Sequence, residues 1–179
     1  MPTSTYLPLY STTTSSTVTE ISVDISSFTQ YTDLVIYMFP FAEVGDNNGL
    51  RVRFNNDTGN NYSINYNWGK DGGVAGVGYD SNQDINVDSI ATAWMIAPGT
   101  TAASTPTTMY MELFSYRSTS LHKNMLIKAG KSNSTAEFNS TRWKSTSAVT
   151  SIQFRTSGGA GNRLVAGTKI AIWGIKAGS

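Results

Sequence analysis

Twelve carboxylates and a single histidine are what this chain offers for acid–base chemistry. His122 follows Ser118-Thr119-Ser120-Leu121. A Ser-His-Asp triad needs only one histidine, so the count permits one. No Gly-x-Ser-x-Gly elbow accompanies it, and an ordinary turn histidine accounts for the same residue. Two carboxylates within roughly 5–10 Å could cleave a glycoside. The acids are Glu20, Asp24, Asp33, Glu43, Asp46, Asp57, Asp71, Asp80, Asp84, Asp88, Glu112 and Glu137. Most sit in turn contexts or on the polar side of a strand, so hydrolysis is not the expectation. Asp46-Asn47-Asn48 and Asn55-Asn56-Asp57 could give calcium its oxygens, yet neither has the helix-loop-helix spacing or its terminal glutamate. Asx turns explain both clusters without an ion. The glycine-rich run Gly72-Gly73-Val74-Ala75-Gly76-Val77-Gly78 lacks the Lys-Ser/Thr of a phosphate loop and reads as a pliant surface loop between strands. The expectation is a non-enzymatic protein with no cofactor and no metal.

Binding chemistry is better represented. Tyr62, Tyr66, Trp68, Tyr79, Trp94 and Trp143 could stack against the apolar faces of sugars, or fill a core or interface. Tyr62, Tyr66 and Trp68 share one strand parity and therefore line one face. They are the candidate glycan or interface aromatics. Residues Met1 to Ser16 form a polar segment that carries Tyr6, Leu7, Leu9 and Tyr10. This segment reads either as a flexible arm or as a tail ordering against a neighbour through those four anchors.

Strands must position these residues. Ile21, Val23 and Ile25 alternate with Glu20, Ser22 and Asp24, as in a half-buried strand. Asp33 to Phe39 is apolar throughout and predicts a central strand. Leu50, Val52 and Phe54 alternate with Arg51 and Arg53; the turn cluster Asn55 to Asn61 follows, then Tyr62 to Trp68. That pair predicts a hairpin. Further strands are expected over Ile85 to Met95, Met109 to Phe114, Asn124 to Ala129, Thr135 to Trp143 and Val149 to Thr156, with a loop at Pro98 to Pro106. The last strand, Thr168 to Ile175, has two apolar sets, predicting burial in a finished sheet beside the region Thr17 to Phe39.

Eight to ten evenly spaced strands with no capped helical pattern predict an antiparallel, all-β sandwich of jelly-roll type. The expected form is two packed sheets of about four strands each, with an arm at 1–16 and one domain at 17–179. About a quarter of the residues are Ser or Thr, which with the β-branched and aromatic content favours strands. The 179 residues can bury a core unaided, and with no cysteine there is neither disulfide nor thiolate metal site. A formal net charge of +1 with scattered Lys and Arg argues against nucleic acid. The start of the chain lacks a basic region followed by an apolar run, and Leu34 to Phe39 is too short to span a bilayer. A soluble protein assembled in a cytoplasm, with no membrane partner, is expected.

The closing stretch Ala166-Gly167-Thr168-Lys169-Ile170-Ala171-Ile172-Trp173-Gly174-Ile175-Lys176-Ala177 resembles the final strand of many small structural proteins of tailed bacteriophages. Ile172-Trp173 stands where those proteins usually carry Leu-Tyr. Three earlier blocks are similar to the same family: Tyr31-Thr32-Asp33-Leu34-Val35, the run Leu50 to Ser63, and Arg142 to Ile152. In the second, Asn56 takes a place where Gly is frequent, as a residue tolerant of the left-handed region can. Together the matches cover most of Tyr31 to Ala177. The resemblance implies a jelly-roll-like sandwich in the virion, either a head decoration (cement) protein or a fibre tip, and supplies no catalytic residue to carry over. The short chain with an arm and no repetitive shaft favours decoration of the capsid as a homotrimer, touching the major capsid protein or another virion protein. The alternative is a receptor- or glycan-binding module of a tail or head fibre.

Overall fold

A computed structural model describes residues 6–43, 49–70, 72–80, 90–93, 97–98, 107–131, 135–156 and 162–176. Their regular structure is all strand: β1 (Tyr6–Thr13), β2 (Glu20–Asp24), β3 (Asp33–Phe39), β4 (Phe41–Ala42), β5 (Leu50–Phe54), β6 (Tyr62–Lys70), β7 (Val74–Asp80), β8 (Ile90–Ala93), β9 (Ala97–Pro98), β10 (Thr107–Phe114), β11 (Lys123–Lys131), β12 (Thr135–Trp143), β13 (Ser151–Thr156) and β14 (Lys169–Ile175). Eight form one antiparallel sheet, ordered β1-β14-β3-β10-β11-β12-β6-β7. Four form a second, β2-β13-β5-β8, and β4 and β9 make a short parallel pair. Of the expected strand at 85–95, Ile90–Ala93 is described; most of the expected loop at 98–106 lies outside the described residues. The glycine-rich run expected as a loop is one only at Gly72 and Gly73, whose positive φ makes the turn, and from Val74 it pairs with β6 as a strand.

The two sheets share one core. The large sheet turns Leu34, Ile36, Met38, Met109, Met111, Leu113, Ile170 and Ile172 inward, against Ile21, Val23, Leu50, Val52, Phe54, Ile152 and Phe154 of the small one. Period-two alternation produces both faces, as the sequence predicts. The all-β expectation holds, but the strand count per sheet is eight and four rather than about four each. The difference has a simple origin. β6 with β7, and β11 with β12, add four strands to one flank of the large sheet.

Two further expectations are corrected. β5 and β6 are not a hairpin, because β5 pairs with β13 and β8 while β6 pairs with β12 and β7. Residues 55–61 form a corner between sheets. Asn55 and Asn56 take φ of 51° and 55°, and the Asn55 side chain is bonded to residues 148–151 instead of to β6. The second correction concerns the arm at 1–16. Residues 6–13 are an edge strand whose register runs from Tyr6 opposite Ile175 to Thr13 opposite Lys169. Beyond it, Thr14 bonds to Val165 and Thr168. As expected, β14 lies between neighbours and pairs with β3, but its second apolar set, Ala171, Trp173 and Ile175, is only half-buried.

Candidate functional site

The site grows from that second set. Outward positions of adjacent strands place Tyr37 level with Ala171 on one side and Tyr110 on the other, and Trp173 level with Val35 and Pro8. Tyr37 meets Trp173 edge-on, ring centroids 5.2 Å apart at 85°, and Tyr110 at 5.1 Å and 71°. Such T-shaped contacts set the positive edge of one ring against the negative face of another and pin all three. Lys128 reaches over the Tyr110 ring, 5.4 Å from its centroid. The Tyr110 hydroxyl donates to the Glu112 carboxylate. Burial first, then Glu112 as acceptor and neighbouring charge, hold the Tyr110 phenol protonated well above its ordinary range.

Small side chains beside large ones leave a groove of about 860 Å³ on this face. Ala171 and Ser11, directly opposite each other, are its floor. Tyr6, Tyr37, Phe39 and Trp173 wall it, and Thr13 and Lys169 close one end. Tyr6, Tyr37 and Phe39 are 53%, 41% and 39% exposed, large values for such side chains. A shallower hollow lies on the far flank of the same sheet, around the exposed Phe138 and Val77 with Ala75, Gly69 and Ala136.

The residues expected to bind are divided by the fold. Tyr6 belongs to the groove, but Leu7, Leu9 and Tyr10 pack against the molecule's own core, with a bulge between Pro8 and Tyr10. Tyr62, Tyr66 and Trp68 do share a face, but it is the inner one. Tyr62 is fully buried, its hydroxyl accepting from Phe54 N at 3.0 Å, so it is a core residue and not a platform for sugars. Tyr66 packs partly buried on the core. Trp68 lies on Gly76, where a Cβ would stand 2.7 Å from the indole. Trp143 is buried, and Trp94 lies outside the described residues.

The carboxylates hold structure. Asp57 accepts from the Trp143 indole at 2.7 Å, the Asn61 amide at 2.9 Å and Gly59 N at 2.8 Å. Burial raises its pKa, yet these bonds and the charge of Arg53 outweigh burial and leave it below the ordinary aspartate value. Asp33 accepts from Ser115 N at 2.6 Å, Asp24 caps Ser26, Gln153 donates to Glu20, and Glu43 pairs with Arg163. Asp46, Asp71, Asp84 and Asp88 lie outside the described residues. Among the described residues no three His, Cys, Asp or Glu side chains are placed to share a metal ion. His122 is exposed at the end of a turn whose Ser118 and Ser120 hydroxyls bond each other.

Sequence reasoning missed Tyr37, Phe39, Tyr110 and Trp173. For Tyr37, Phe39 and Trp173 the signal is present, as strands apolar on both faces, and it reads equally well as burial. No protein-family model matches the chain, and none of the curated proteins matches it.

Proposed function

We propose that this chain is a non-enzymatic structural protein of a phage virion, most consistent with decoration of the capsid surface as a homotrimer. The observation that carries the reading is the outer face of the eight-stranded sheet. Among the described residues, five of the seven exposed large hydrophobics, Tyr6, Tyr37, Phe39, Phe138 and Val77, belong to strands that present them there. An apolar face of that extent suits association with other subunits. The strand order supports a jelly-roll-like reading of the fold. Set aside the four added strands and the short β4–β9 pair, and the rest order as β1-β14-β3-β10 and β2-β13-β5-β8, with each step along the chain crossing between sheets except that from β5 to β8. The motifs that resemble phage proteins also meet in space. Asp57 of one block holds Trp143 of another, and Tyr31 of a third lies on Gly174 of the last. Fold likeness alone does not assign function.

The flatter flank around Phe138 and Val77 is the capsid-facing part in this reading. The test is to image particles made from the genome that encodes the chain, labelled with gold-tagged antibody. Gold over the head is expected, and purified protein should rebind to particles lacking it. Phe138→Ser with Val77→Ser should weaken rebinding about tenfold. Gold at the tail alone, or no gold on particles, overturns the assignment.

A further inference from the structure

We infer that the groove between β1, β14 and β3 is a binding site for a saccharide that carries a carboxylate. Its shape follows from side-chain size. Ala171 and Ser11 are too small to fill the space between Trp173 and Lys169, so the sheet surface dips there. The dip is walled by aromatic rings, and Tyr37 is fixed between Trp173 and Tyr110 before any ligand arrives. Fixed walls lose little side-chain freedom on binding. Sugar rings have apolar C–H faces and a hydroxyl rim, and need both kinds of partner at once. The rings supply the first. Ser11 and Thr13, on the exposed parity of β1, supply hydroxyls for the second.

Charge chooses among sugars. Among the described residues Lys169 is the one charged side chain lining the groove, and it sits at the hydroxyl-bearing end beside Thr13. Its ammonium places a positive charge where a uronic-acid carboxylate would reach while the ring stacks below. A peptide strand is the less suited occupant. The open edge of β1 carries Pro8, which has no N–H, and a bulge follows it, so an added strand finds an interrupted ladder. The inference is independent of whether the chain sits on a virion.

The test is a glycan array of uronic-acid, sulfated and neutral oligosaccharides, followed by calorimetry on the binders, using the full chain. Binding to uronic-acid members is expected. Ala171→Phe should weaken it more than about tenfold by filling the floor. Ser11→Phe on the exposed edge strand fills the same floor from the other side and serves should Ala171→Phe fail to fold. Lys169→Gln should cost about two- to fivefold for uronic-acid sugars and nothing for neutral ones. Phe138→Ser, on the far flank, should leave saccharide binding unchanged while weakening particle docking, so this proposal and the preceding one can fail separately. The inference is overturned if no uronic-acid sugar binds, if neutral counterparts bind as tightly, or if the folded filled variants bind like wild type.

Discussion

Asp57 gathers three donors, two from its own corner and one from distant Trp143, and this makes it the residue whose loss is easiest to foresee. Asp57→Ala leaves the Trp143 indole N–H without its acceptor beside a buried aromatic cluster, where Trp143 lies 5.6 Å from Phe54 and 6.4 Å from Tyr62. A cost of about 2 kcal/mol is expected in urea unfolding at neutral pH. Because its folded pKa is depressed, Asp57 contributes stability that is complete above the unfolded aspartate value. That contribution is lost as pH falls through the lower folded value, and Asp57→Asn should flatten the acid limb of the stability curve. Tyr116 does the reverse. It is buried and donates to the Phe28 carbonyl, and burial pushes its phenol up to about 12. The folded state then holds a proton that the unfolded state releases near pH 10. The stability advantage of wild type over Tyr116→Phe should be full below pH 10 and shrink between about 10 and 12. An advantage that grows across that interval would refute this account.

At the scale of the element, Gly174 shows why one strand position cannot vary. A Cβ there would stand 2.4 Å from the Tyr31 ring, which lies flat on β14. Gly174→Ala should destabilise by about 1–3 kcal/mol, and Tyr31→Ala should recover part of that loss in the double variant, as a double-mutant cycle would measure. β1 gives the second prediction. Deleting residues 1–13 strips a strand from β14 instead of releasing a loose tail, so the shortened chain should melt earlier and aggregate. Strand positions and inward faces were legible in the sequence because alternation encodes them directly. The corner at 55–61 was not, because Asn- and Gly-rich turns look alike whether the chain returns to the same sheet or crosses to the other. What decides is β13, about a hundred residues away, which offers β5 a partner. The groove was illegible for a related reason. Tyr37, Ala171 and Trp173 look like core by composition, and only the pairing of β3 and β14 with their neighbours shows that their parity is the outward one, facing away from the small sheet.

The whole molecule is built from long-range pairings with no disulfide to hold them. An exposed face of this kind predicts self-association, and sedimentation of purified protein should give a species three times the mass of the chain. A sedimenting monomer at micromolar concentration would remove the trimer from the proposal. The placing of β14 between β1 and β3 has a further consequence, in the order of synthesis. β3 is complete at residue 39, but the strand that fills the gap beside it begins only at residue 169. At ribosomal speed that interval is on the order of ten seconds. Throughout it, β1 lacks its partner and β3 offers a bare edge flanked by Tyr37 and Phe39. Nascent chains halted before residue 169 should therefore be digested readily by protease and held by chaperones. Chains released past residue 176 should become resistant in one step. β14, made long after the two strands it joins, is the one that allows β1 and β3 to close.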